Sequence, residues 1–184
     1  YNVPKNKRHN KKGIKKIQKA FLFGEKHFNP DSFDESFIRE LAFRITPELY
    51  EGRPIANYRD IGVRITGSYF TPPYPEKVKY IEIPKFVENL KFHFKEKDII
   101  ENMKTAIYAH FNIARIHPFE DGNGRVARTL QDIIIGYYDF PLPIIPAGER
   151  MTYYDFLEHA VGGYKDRKSE GKTSFSEGER DFYT

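Results

Sequence analysis

Two runs of apolar residues at helical spacing, separated by a loop that holds two glycines, constrain this chain more than any other feature. Ile99, Ile100, Met103, Ile107 and Phe111 recur at three- and four-residue steps and predict one long helix from about Asp98 to Ile116. Val126, Leu130, Ile133, Ile134 and Tyr137 recur in the same way and predict a second helix that begins at about Gly124. Between them lies His117-Pro118-Phe119-Glu120-Asp121-Gly122-Asn123-Gly124-Arg125, so the expected arrangement is helix, loop, helix, with His117 delivered at the end of the first.

The loop carries chemistry in its residue types. Gly122 and Gly124 allow positive φ and a close approach of backbone to ligand, so successive N–H groups can face one concavity. The free N–H groups and positive dipole end of the second helix add to that concavity, which suits a phosphate. Arg125 and Arg128, three apart, share one face of the first turn. Cations there oppose the helix dipole, so two of them make sense if a multiply charged anion sits between them and the helix end.

Residues 117–128 resemble the Fic family signature, His-Pro-Phe-x-Asp/Glu-Gly-Asn-Gly-Arg-x-x-Arg, at every specified position. The resemblance implies a protein adenylyltransferase that moves AMP from ATP onto a Ser, Thr or Tyr hydroxyl of a target protein. It implies His117 as the general base, with an ordinary imidazole pKa of about 6.5 close to the working pH. It implies that Asp121 holds Mg²⁺ against the phosphates. Asn123 and the backbone at Gly122 and Gly124 would grip the α- and β-phosphates, Arg125 would neutralise the leaving pyrophosphate, and Arg128 would orient the γ-phosphate. Phe119 is expected in the core and Glu120 in solvent. His110 is expected to be a packed or capping residue, and His9, His27, His93 and His159 show no metal-site spacing. Transfer of UMP or phosphocholine, and removal of AMP, fit the same signature. A catalytically silent binding module recruited by a basic arm is the alternative from another class.

Ile61, Val63 and Ile65 alternate with Gly62, Arg64 and Thr66, Gly67-Ser68 offers a turn, and Tyr69-Phe70 precede Thr71-Pro72-Pro73. This pattern predicts a small β-hairpin after Asn57-Tyr58-Arg59-Asp60. It resembles the Fic flap, which aligns a target segment by strand addition, so Val63, Arg64, Ile65 and Thr66 are the expected docking edge. The expected fold is therefore all-α, a Fic-type helical bundle with a small β-hairpin flap. Ser32-Phe33-Asp34-Glu35 predicts a capping box for a helix carrying Phe37, Ile38, Leu41 and Ile45. Pro84 predicts the start of another, and Thr152 to about Val161 a short one.

Thr173-Ser174-Phe175-Ser176-Glu177-Gly178 resembles the inhibitory Ser/Thr-x-x-x-Glu-Gly/Asn motif of Fic proteins, which implies Thr173, Glu177 and Gly178 as an inhibitory set with Glu177 on Arg128. The same residues read as a capping box, Ser174 to Glu177, for a last helix.

Charge is uneven. Eight basic residues precede the first acid, Glu25, and leave 22 of the 30 basic residues against 26 acids, so the net charge of +4 belongs to the N-terminal stretch. Residues 1–24 are thus a basic arm or a first helix, and 25–184 one Fic-type domain; 184 residues with 39% hydrophobic content suit a single core. The chain stops at Thr184 as a helix opens, which predicts a fragment of a longer protein. Without cysteine it forms no disulfide and fits a reducing cytoplasm, and no apolar run approaches the roughly 20 residues of a membrane span. The expected partner is a target protein, with self-modification and a homo-oligomer left open and neither membrane nor nucleic acid expected.

Overall fold

The structure, a computed structural model, describes residues 5–65, 67–95 and 98–183, with side chains from residue 11 onward. Its helices are α1 (Lys5–His27), α2 (Glu35–Ile45), the short α3 (Pro75–Lys77), α4 (Ile83–His93), α5 (Ile99–Ile116), α6 (Asn123–Tyr137), α7 (Arg150–Ser169) and α8 (Glu177–Tyr183). No β-strand occurs among the described residues, so the fold is all-α and the expected hairpin is absent.

Asp98 starts α5 by accepting the N–H groups of Ile100 and Glu101 at 2.8 and 3.1 Å. The helix then buries Ala106, Ala109, Ile113 and Ile116 against Val126, Ala127, Leu130 and Ile133 of α6. This pair is the centre of the molecule, and α1 and α2 pack on α6. The basic stretch forms the early turns of α1, whose later turns reach the core through Ala20, Phe21 and Phe23. α2 opens at Asp34, which accepts from Ser36 and Phe37 N–H groups, and the expected box from Ser32 does not form: Ser32 closes a separate 3₁₀ turn, Pro30–Ser32.

Pro84 stands in the first turn of α4, as expected, but the chain before it is already helical. The chain becomes helical at Pro75, passes through a π-helical turn over Val78–Glu82 and continues as α4. Pro84 has no N–H for the Tyr80 carbonyl and its ring crowds that carbonyl, so the backbone widens, and Ile83 N–H closes the wider turn on the Val78 carbonyl.

The described residues between 61 and 73 form no paired strands. The Ser68 N–H donates to the Ile65 carbonyl at 3.1 Å, with Gly67 at φ +82°, so the expected turn is present. A ladder is missing because the base of the two arms is already occupied. The Arg59 guanidinium donates to the carbonyls of Ile61 (2.9 Å) and Pro73 (2.5 Å), and Pro72 and Pro73 have no N–H to offer. The turn is tied instead to α7, where Glu158 accepts from Ser68 Oγ at 2.5 Å and Tyr69 N–H at 2.8 Å. Thr66 of the expected docking edge lies outside the described residues.

α7 runs well past Val161 through Gly162 and Gly163, which argue locally for a stop. Gly163 is a contact point: a Cβ there would fall 2.0 Å from Ser176 Oγ, so its absence lets the start of α8 lie against α7. The capping box of α8 is Ser176 with Glu179, two residues beyond the expected Ser174 and Glu177. Ser176 N–H donates to Glu179 Oε2 at 3.0 Å, and Glu179 N–H donates to Ser176 Oγ at 3.2 Å. Glu179 is also gripped by Arg167 of α7 through bonds of 2.8 and 2.7 Å. Glu179→Ala should cost about 3 kcal/mol, because it leaves Arg167 without its acid and α8 without its cap. Faster hydrogen exchange over 177–183 with α5 and α6 still protected is the expected result; uniform loss of protection would mean that α8 supports the whole fold.

Candidate functional site

The site is assembled at the joint between α5 and α6. Pro118 disfavours helical backbone at the residue before it, and α5 accordingly ends at Ile116. His117 takes left-handed backbone, φ 52° and ψ 57°, a strained choice for a residue with a Cβ. Arg59, only 2% exposed, holds it there: Arg59 Nε donates to the His117 carbonyl at 2.7 Å, and the Arg59 N–H donates to the Pro118 carbonyl at 2.9 Å. The imidazole is half-buried with Nδ1 3.3 Å from the Ala114 carbonyl. Burial lowers its pKa below the ordinary value and the Arg59 charge acts in the same direction, against the opposing Ala114 contact and Asp121 charge.

Phe119 is fully buried and anchors the loop, and Glu120 is exposed, both as expected. Asn123 braces the same loop. Its Oδ1 accepts the Phe119 N–H at 2.9 Å and its Nδ2 donates to the Phe119 carbonyl at 2.8 Å. The Asn123 side chain is thus engaged with the loop backbone and does not reach outward as expected. Gly122 sits at φ +82°, where a Cβ would fall 3.1 Å from Thr46 Cγ2, so both conformation and space require glycine. As N-cap of α6 it has no side chain to give, and the first-turn N–H groups have no side-chain cap. Arg125 Nη2 pairs with Asp121 at 2.9 Å, and the Asp121 side chain is 69% exposed. Arg128 lies beside Gly124, with Nη1 3.5 Å from where a Cβ of that glycine would stand.

Behind Arg128 is a buried polar chain. Arg128 lies close enough to the Tyr153 phenol of α7 to oppose the upward push of burial on its pKa; the phenol oxygen is 2.7 Å from His110 Nε2, and His110 Nδ1 meets Gln131 Oε1. With Nδ1–H donating to the amide oxygen, Nε2 accepts the phenol proton, and the phenol oxygen is left to accept from Arg128. His110 is therefore packed, as expected, and through the Tyr153 phenol it lies behind a site arginine. Arg128, Asp132, Ile145, Pro146, Tyr153 and Tyr154 border a cavity of about 400 Å³.

Of the expected site residues, the structure gathers His117, Asp121, Gly122, Asn123, Gly124, Arg125 and Arg128 on one joint. Val63, Arg64 and Ile65 lie on the first arm of the unpaired segment, attached to the joint through Arg59. Thr173, Glu177 and Gly178 are elsewhere. Glu177 is exposed, no ion pair joins it to Arg128 among the described residues, and Gly178 abuts the His159 carbonyl. The acid that this helix buries is Glu179. Arg59, His110 and Tyr153 had no local sequence signal beyond their residue types, because the bonds from Arg59 to His117, His110 to Gln131 and Tyr153 to His110 span 58, 21 and 43 positions.

Residues 32–135 match the model of the Fic/DOC family. Over 115 residues the chain is 32% identical to a protein adenylyltransferase Fic of Nematostella vectensis, which covers 62% of this chain and 26% of that protein. Over 58 residues it is 45% identical to a protein adenylyltransferase Fic of Drosophila persimilis, which covers 32% of this chain and 11% of that one. The chain thus spans about a quarter or less of these relatives. Among solved structures, a Fic domain containing signalling protein from Bacteroides thetaiotaomicron superposes with a TM-score of 0.68 at 26% identity, over 82% of this chain and 57% of that chain. Fic-1 from C. elegans gives 0.62 at 25%, over 81% and 42%.

The buried chain behind Arg128 has a pH signature. Burial holds the His110 pKa down at about 4, so between pH 6.5 and 4 the unfolded chain binds a proton that the folded chain refuses. Stability from this group is complete above pH 6.5 and falls as pH drops, by ~3 kcal/mol in total at ~1.4 kcal/mol per pH unit. Asp132, pushed up to about 6 by burial, acts oppositely over the same interval, so the quantity to measure is the difference between His110→Gln and the unaltered protein. Urea denaturation at pH 7 and 4.5 should show a shallower acid loss in the variant; parallel losses would mean that His110 titrates normally.

Proposed function

The chain belongs to the Fic/DOC family, and we propose that it is a protein adenylyltransferase, transferring AMP from ATP to a Ser, Thr or Tyr hydroxyl of a target protein. The observation that carries this is the joint itself: an imidazole at the left-handed end of α5 is followed, across one short loop, by an uncapped helix N-terminus whose first two turns carry two arginines. A base and a triphosphate cradle are what the reaction requires.

His117 acts on the nucleophile. Nδ1–H donated to the Ala114 carbonyl leaves the Nε2 lone pair free, and a pKa below the ordinary 6.5 keeps the ring neutral at pH 7. The target oxygen bonds to the α-phosphorus, the bond from that phosphorus to the β-phosphate oxygen breaks, pyrophosphate departs, and the hydroxyl proton passes to His117 Nε2. The uncapped N–H groups at the start of α6 grip the α- and β-phosphates, with Gly122 and Gly124 keeping side chains out of the way. Arg125 and Arg128 neutralise the charge of the phosphates, with the Tyr153 phenol beside Arg128. Mg²⁺, when bound, supplies further neutralisation of the phosphates; a single exposed carboxylate suits a cation that takes most of its ligands from phosphate and water, and Asp121 is that carboxylate. Val63, Arg64 and Ile65, with no ladder to the opposite arm, offer main-chain groups to a target segment.

His117→Ala should reduce labelling from α-phosphate-labelled ATP by at least about a hundred-fold and leave ATP affinity nearly unchanged. Equal loss of binding would refute the division between base and cradle. Asp121→Ala should weaken nucleotide binding only when Mg²⁺ is present. Labelled UTP in parallel tests the choice of nucleotide.

The pH profile gives a separate check. With the His117 pKa lowered, the base is deprotonated above it, so activity should hold as pH falls to 6.5 and decline only below. A decline centred above 6.5 would mean that burial does not govern this imidazole.

A further inference from the structure

A second basin lies on the far side of the unpaired segment. A cavity of about 640 Å³ is bounded by the second arm of that segment, the π-helical turn with α4, and α7. Lys77, Lys85, Lys165 and Lys168 surround it, and Arg115 lies at its base. Arg115 is 5% exposed; its Nη2 donates to Glu82 and Asn112, both at 2.9 Å, while its buried Nε has no partner. Glu82, 2.9 Å from Arg115 and 3.5 Å from Lys77, is the acid in this lining. Five cations thus face one carboxylate. Lys165 rests on an aromatic ring, with Nζ 4.5 Å over Phe70, and Arg115 stacks 4.2 Å over Tyr164. A smaller cavity of about 170 Å³ adjoins, shares Glu82, Lys85, Arg115, Tyr164 and Lys168, and adds the Arg167–Glu179 pair.

We propose that this basin docks an acidic segment of the protein to be modified; the inference rests on the adenylyltransferase reading for the identity of that protein, but not for the binding. Charge complementarity selects the partner, since the excess of cations is unanswered within the lining. The layout selects a peptide over a small anion. The four lysines stand on three elements around a volume much larger than one phosphate, and Phe70 and Tyr164 supply apolar wall between them. The basin also communicates with the joint through one residue. Its wall includes Pro73, whose carbonyl accepts from the same Arg59 guanidinium that holds the His117 carbonyl. A target whose acidic stretch fills the basin is thereby placed alongside the segment carrying Val63, Arg64 and Ile65.

The test is fluorescence anisotropy with two labelled peptides of equal length, each with one threonine, one with a run of glutamates and one with glutamines in their place. The glutamate peptide should bind roughly ten-fold tighter at low salt, and the advantage should vanish at about 1 M salt. Lys165→Glu with Lys168→Glu, both exposed, should abolish the advantage without moving the melting temperature. No preference between the peptides overturns the proposal. So does a preference that survives the double reversal, which would belong to the lysines of α1, or complete displacement by millimolar inorganic phosphate, which would mark a small-anion site. Labelling with ATP is measured apart: its failure with peptide binding intact would count against the transfer chemistry and leave the docking in place.

Discussion

Arg59 is the tie on which the working end of this molecule depends. Its guanidinium donates to three carbonyls, those of His117, Ile61 and Pro73, and its own N–H holds a fourth, that of Pro118. Each of these carbonyls belongs to backbone that cannot satisfy it by regular structure: a left-handed residue at a helix end, the residue after it, and two arms that form no sheet. Burying a guanidinium is unfavourable unless its donors are filled, so the cation and the carbonyls stabilise one another and neither arrangement persists alone. The same charge beside His117 adds to burial, the larger cause, in disfavouring imidazolium, so the residue that holds the ring in place also contributes to its neutrality.

What could be read from the sequence follows from how far each interaction reaches. The helices on either side of the joint were legible because their apolar period and the Asp98 cap are local, and they appear within a residue of their expected limits. The hairpin was not. Alternation from Ile61 to Ile65 is a real strand signal, but Arg59 competes for the carbonyls, and no pattern of adjacent residues shows that. Pro84 did mark the first turn of α4, but the helical chain before it was not legible: the turn preceding the proline widens, and a widened turn has no sequence period of its own. The helix expected to end at about Val161 runs on through Gly162 and Gly163, because the approach of α8 cannot be seen along the chain.

The loop signature was legible as a set, although one member serves differently from expectation. Asn123 is engaged through its side chain by the Phe119 backbone, so its value lies in holding the loop's shape. The supporting residues His110 and Tyr153 come from α5 and α7 and meet only in three dimensions. Glu177 illustrates the converse hazard, because a short pattern matched while the helix that carries it turns a different acid, Glu179, inward.

The π-helical turn over Val78–Glu82 has a geometric consequence for everything before it. One residue of α-helix advances the chain by about 100° around its axis, and a π-turn inserts one residue without lengthening the helix by a regular step. The direction in which the second arm joins the helix at Pro75 is therefore rotated by roughly a quarter-circle relative to an uninterrupted helix ending at His93. Aim, in this molecule, is a matter of phase: the azimuth of the arm that walls the basin is written in a single surplus residue, and the proline that compels it stands one turn downstream.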